Sequence, residues 1–128
     1  YTRESNIIRG SGARALMPEY TGFSSGPNAI ALAAAEEIPY IFLIGFDLDS
    51  ETKLINNIYS GTAHYAPSDA LTTNSDNWIN QIYEIAEKYK NQRFMHVNPL
   101  LEYTPAYWLT LPNFEAIDLK GFKFMLNI

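Results

Sequence analysis

Residues 27–37 are apolar at nearly every position, and residues 40–46 form a continuous run rich in aromatic and branched side chains. The first pattern predicts a helix buried between layers, with alanines that permit close approach to a sheet and Pro39 to stop it. The second predicts a strand covered on both faces, as strands of a parallel sheet are. Farther along, Ile79, Ile82, Ala86 and Tyr89 recur at helical spacing, and Trp78 and Ile85 widen the stripe. Ser75 or Asp76 caps this amphipathic helix, and Lys88 and Lys90 fall in its last turn, where cations suit the helix dipole. Arg-Phe-Met-His-Val at 93–97 predicts the next parallel strand, ended by Asn98-Pro99. Short apolar pieces at 6–8, 114–117 and 122–126 predict short strands, the last two at sheet edges, and residues 13–17 predict a helical turn ahead of Pro18.

A strand, a loop, a helix and a second strand in that order imply a right-handed crossover, which puts the two strand exits, and with them Asp47 and Asn98, on one rim. The expected fold is an α/β, Rossmann-like three-layer domain with a mostly parallel sheet. Residues 1–128 form a single domain or the carboxyl-terminal portion of a larger one, and no internal repeat or linker divides them.

Composition removes several function classes. The net charge is -5 and the nine Lys and Arg are scattered, so a nucleic-acid-coating role is not expected. There is no cysteine, hence neither a disulfide scaffold nor a thiolate metal site. No apolar run approaches the roughly 20 residues of a membrane span, and no signal-like segment leads the chain, so the expected location is the cytoplasm. The sequence opens on Tyr1 rather than Met, which fits a processed fragment.

The densest chemistry lies where the first helix begins. In Ser24-Ser25-Gly26-Pro27-Asn28, Gly26 permits close backbone approach, Pro27 has no amide proton to lose, and the free amides around it can receive an anion. The same residues also start an ordinary helix well. The stretch lacks the full glycine fingerprint of a dinucleotide site and has no P-loop lysine, which disfavours NAD and ATP binding of the standard kinds. Asp47 and Asp49, past the apolar strand, suit a divalent cation or the hydroxyls of a ribose or sugar; as turn residues they would cap backbone amides instead, the reading favoured for Asp49. Residues 47–74 form a long polar segment of the kind that serves as a lid or binding loop. Within it His64 can act as a general base near neutral pH or be simply solvated, and Tyr59 and Tyr65 can donate phenolic hydrogen bonds to phosphate oxygens. His96, inside a strand, reads as structural. Asn98 can meet a base or ribose edge, or merely start a turn with Pro99.

In this order, Ser25-Gly26, the Ala-Ile-Ala-Leu-Ala helix, an I-x-L-x-G-x-D strand over 41–47, His64-Tyr65, the 75–90 helix and the strand leading to Asn98-Pro99 resemble the carboxyl-terminal part of the single-domain bacterial sialyltransferases. The chain also looks like phage-encoded and motility-accessory-factor-like relatives of that Rossmann-like superfamily. The resemblance spans about residues 24–101. It implies a CMP-sugar or similar nucleotide-activated sugar in the cleft, near the Ser25-Gly26 loop and the Asn98-Pro99 turn; Asn28 in the helix-start loop and Asp47 at the strand exit are the further binding candidates that position suggests. It further implies transfer without a metal or other cofactor, with His64 as base and Tyr59 and Tyr65 on the departing phosphate. Two departures stand beside it. The family's base falls a few residues beyond His64-Tyr65, where this chain has Ser68, and no Gly-Asn-Gly-type loop precedes Ser24.

The leading expectation is therefore a glycosyltransferase-like protein that binds a nucleotide sugar, encoded by a bacterium or a phage and, if by a phage, acting in the host cytoplasm. One alternative is a magnesium-dependent nucleotide or pterin diphosphokinase-like enzyme, with Asp47 and Asp49 on the metal. The other is a non-catalytic viral interaction protein, whose aromatic-rich tail from Tyr103 to Phe124 packs on a partner or on a second copy as a homo-oligomer.

Overall fold

The structure is a computed structural model that describes residues 12–15, 17–46, 48, 62–63, 76–98 and 103–128. It is an α/β fold built on three parallel strands, β1 (Tyr40–Ile44), β2 (Arg93–Val97) and β3 (Phe114–Ile117), in the order β1-β2-β3. Ile44 pairs with Val97 and Val97 with Ile117, so the three carboxyl ends finish level, on one rim. This is the Rossmann-like arrangement that the strand and helix patterns predict.

The register separates two faces. Ile41, Leu43, Phe94 and Phe114 point to the side covered by helix α1 (Ser25–Ala35) and helix α2 (Asp76–Lys88), where they join Ile30, Ala31, Ala34, Ile82, Ile85 and Ala86 in one buried core. Trp108, in a 3-10 turn (Trp108–Thr110), completes this core with no exposed surface, and its indole N–H donates to the Ile79 carbonyl at 2.9 Å. The other face carries Phe42, Met95, Val97 and Ile117 and is covered by helix α3 (Leu119–Met125), whose Phe122 ring meets Phe42 edge-on at 5.1 Å.

Helix α3 replaces the edge strand expected over 122–126. The alternation Phe122, Phe124, Leu126 has the period of a strand, but Asp118 decides the matter as an N-cap: its carboxylate accepts the Gly121 amide at 2.6 Å and starts a helix one residue later. Three further expectations are refined. Helix α1 buries only one side, through Pro27, Asn28, Ile30, Ala31 and Ala34, so its all-round apolar character reflects alanine content rather than burial on every side. It ends ahead of Pro39, where Glu37 turns into the left-handed region at φ 56°. The helical turn near Pro18 follows the proline (Pro18–Tyr20) rather than preceding it. Strand β1 is covered more fully on one face than on the other: Ile41 and Leu43 are buried, Phe42 is half-buried against Phe122, and Tyr40 and Ile44 at its ends stay exposed. The predicted strand at 6–8 lies outside the described residues. None of the described helices is long and apolar enough to cross a membrane.

Asn113, buried at the foot of β3, ties the end of α2 to the sheet. Its amide donates to the carbonyls of Ala86, in the last turn of α2, and of Tyr89 and Gln92, in the chain that follows it, at 3.0, 3.2 and 3.1 Å. Asn113→Ala is expected to lower stability by about 1–3 kcal/mol, because it strands buried acceptors; urea denaturation measures this as a lower midpoint at unchanged slope.

Candidate functional site

Where the chain leaves β1, Gly45 adopts φ 75°, a left-handed conformation that glycine takes without penalty. The turn brings Phe46 onto the helix-covered side of the sheet, against the start of α1. There the Phe46 ring occupies the space that a side chain at residue 26 would need, for a Cβ on Gly26 would lie 3.0 Å from the ring carbon Cε1. Gly26 therefore does allow a close approach, and the group that uses it is Phe46.

Around this contact opens a cleft of about 410 Å³, walled by residues 24–27 on one side, by Gly45, Phe46 and Leu48 on another, and by Trp78 of α2. Its volume falls in the usual range for small-molecule sites. Two side chains of α2 fix its polar wall. Gln81, buried, accepts the Ser24 amide at 2.9 Å, and the Trp78 indole donates to Ser24 Oγ at 2.8 Å. Because Ser24 Oγ is an acceptor in the second bond, its own hydroxyl proton is available to donate elsewhere. Asn28 is turned inward: its amide holds the carbonyls of Phe23 and Ser24 at 2.8 and 3.1 Å and so braces the turn from behind.

That leaves the amides of Ser25 and Gly26. They are the first two of α1, too early to find a carbonyl within the helix, and no acceptor meets them among the described residues. Both residues line the cleft. Aligned peptide dipoles add roughly half a positive charge at this end of α1, which favours an anion there. The described lining contains no Lys or Arg, so backbone and hydroxyl groups supply the polar contacts. The arrangement can hold one small anionic group against the helix start while Trp78 and Phe46 cover an apolar or planar body.

Of the residues singled out in the sequence, Ser25 and Gly26 come together in the cleft. Asn28 lies just behind it. Asn98 stands on the same rim, at the exit of β2, with its amide side chain donating to the Tyr103 carbonyl at 2.7 Å. Asp47, Asp49, Tyr59, His64 and Tyr65 lie outside the described residues. Sequence spacing alone marks Trp78 and the neighbouring stripe as core rather than as cleft lining, and it does not single out Gln81. A signal for Gln81 is present all the same, since it occupies a stripe position three after Trp78 and four before Ile85, where a polar residue needs a buried partner.

No protein-family model, no curated protein and no solved structure matches the chain.

Proposed function

We propose that the chain is a glycosyltransferase-like protein that binds a nucleotide-activated sugar such as a CMP-sugar in the cleft between the start of α1 and the exit of β1. The observation that carries this reading is the pair of amides, Ser25 and Gly26, that meet no acceptor among the described residues and open onto a cleft with two aromatic walls. A phosphate suits the amides and a flat base suits the Trp78 and Phe46 rings. The chemical step rests on the sequence resemblance alone: His64 takes the acceptor hydroxyl's proton, that oxygen forms the new glycosidic bond, and the nucleotide leaves with hydrogen bonds from Tyr59 and Tyr65.

Thermal melts with CMP, other nucleoside monophosphates and nucleotide sugars, each with and without magnesium, test the reading. A nucleotide at 100 times its Kd is expected to stabilise the fold by about 2.7 kcal/mol, with no requirement for magnesium. Indifference to every member of the panel at millimolar concentration would sink the proposal. Turnover that survives His64→Ala would remove the assigned base while leaving the binding claim standing.

A second reading, a non-catalytic interaction module, draws on one observation: α3 and the residues after it leave Phe124 at 82 % and Ile128 at 78 % exposure. Sedimentation velocity decides it. A concentration-dependent dimer that Phe124→Glu returns to monomer supports self-association, whereas a monomer at all concentrations contradicts it.

A further inference from the structure

The imidazole of His96 is nearly sealed from solvent, at 2 % exposure, and sits at the junction of three segments. It projects from β2 toward the helix-covered side. Its Nε2 lies 2.9 Å from the Phe46 carbonyl and its Nδ1 lies 2.8 Å from Thr104 Oγ1. A carbonyl can only accept, so in the neutral ring Nε2 carries the proton and donates to Phe46, while Nδ1 accepts the Thr104 hydroxyl. The ring also stands edge-on to Trp108, 5.5 Å between centroids at 85°, which restricts its rotation.

The Phe46 carbonyl lies two residues past Ile44, the last residue of β1 paired with β2, so the sheet ladder does not reach it. His96, paired in register with Leu43, reaches forward along the strand to take that carbonyl. This bond holds the departing chain over the helix-covered face, and that course brings the Phe46 ring against Gly26. On its other side His96 bonds Thr104, and Asn98, just past β2, donates to the carbonyl of the residue before it, Tyr103.

We propose that His96 is the positioning residue of the cleft: it sets the Phe46 wall and ties the chain leaving β1 to Thr104. As a statement about ligand affinity, the inference rests on reading the cleft as a nucleotide site. As a statement about the position of Phe46, it is tested in the free protein.

The test uses amide-resolved NMR spectra of the full chain and of the variants His96→Gln, His96→Phe and Thr104→Val. Glutamine can place an amide N–H near the site of Nε2; phenylalanine fills the volume without a donor. The Phe46 ring lies against Gly26, so its ring current reports the position of the wall at the Gly26 amide. His96→Phe is expected to shift the Gly26 and Gly45 resonances, His96→Gln to return them toward wild-type values, and Thr104→Val to shift them less. CMP binding by His96→Phe is expected to weaken about tenfold, the worth of one such hydrogen bond. Gly26 and Gly45 resonances at wild-type values in His96→Phe, with only the melting temperature lowered, would overturn the proposal by leaving His96 a packing role. If His96→Phe does not fold, Thr104→Val decides on the same two amides: movement supports the proposal and wild-type positions overturn it. A wild-type protein that binds no nucleotide refutes the ligand reading, and the amide shifts of the free variants then decide the role of His96 by themselves.

Discussion

Trp108→Ala is expected to bring the protein close to unfolding, with a loss of about 3–5 kcal/mol and a melting temperature lower by roughly 10–20 °C. The reason is its place in the fold. The ring is fully buried, lies 4.9 Å from the Phe114 ring and 5.5 Å from His96, and fills the space where β2, β3 and α2 meet. The surroundings relax only partly into a hole of that size, and the Ile79 carbonyl loses the indole proton as well. Domains of this length are stable by only about 5–15 kcal/mol, so one such change removes a large share of the total. Trp108→Phe keeps much of the volume and removes the N–H, and is expected to cost about a third as much. Calorimetry on the pair measures both. A shift under about 3 °C for Trp108→Ala would mean that the core is not organised around this residue.

Ser25→Asp is expected to move stability and binding in opposite directions. Ser25 is the first residue of α1 and its side chain is exposed, so a carboxylate there meets the positive end of the helix dipole and adds about 0.3–1 kcal/mol of stability. The same carboxylate would lie within a few ångströms of an anion held by the Ser25 and Gly26 amides. At about 5 Å and an effective dielectric of about 20, the repulsion is roughly 3 kcal/mol, which lowers affinity for CMP by about a hundredfold. A thermal melt and a calorimetric titration of one variant read both signs. Ligand affinity unchanged by Ser25→Asp would place the anion elsewhere, whatever happened to the melting temperature.

Much of this architecture is legible in the amino-acid order because each element carries its own period. The Ile79, Ile82, Ala86 spacing fixes α2 and its buried side, and the branched run at 40–46 and the Phe94 to Val97 run supply two parallel strands whose exits share a rim. What escapes is what depends on neighbours. Residues 122–126 alternate like a strand, yet they end a helix that the Asp118 carboxylate caps at the Gly121 amide and that packs Phe122 on Phe42. The apolar content of α1 predicts burial all round, yet alanine is small enough to face solvent without penalty, as Ala29 and Ala35 do. At the site, residues 24–28 announce a helix start with spare amides; those of Ser25 and Gly26 meet no acceptor among the described residues, while Gln81 takes the Ser24 amide. Their surroundings could not be read in advance: that Gly26 makes room for Phe46 and that Gln81 pins Ser24 are contacts across 20 and 57 residues of chain, beyond the reach of local spacing. His96 reads as structural from its place in a strand, and it is buried with both nitrogens engaged; the partner that matters, the Phe46 carbonyl, is 50 residues away in sequence.

In the proposed nucleotide site the first two amides of α1 anchor the phosphate. The most direct measurement is an amide-resolved NMR titration of the full chain with CMP. The Ser25 and Gly26 resonances are expected to move furthest and to saturate together with the Trp78 indole resonance, all three reporting one dissociation constant. Saturable shifts confined to other parts of the molecule, or no saturable shift at all, would contradict it.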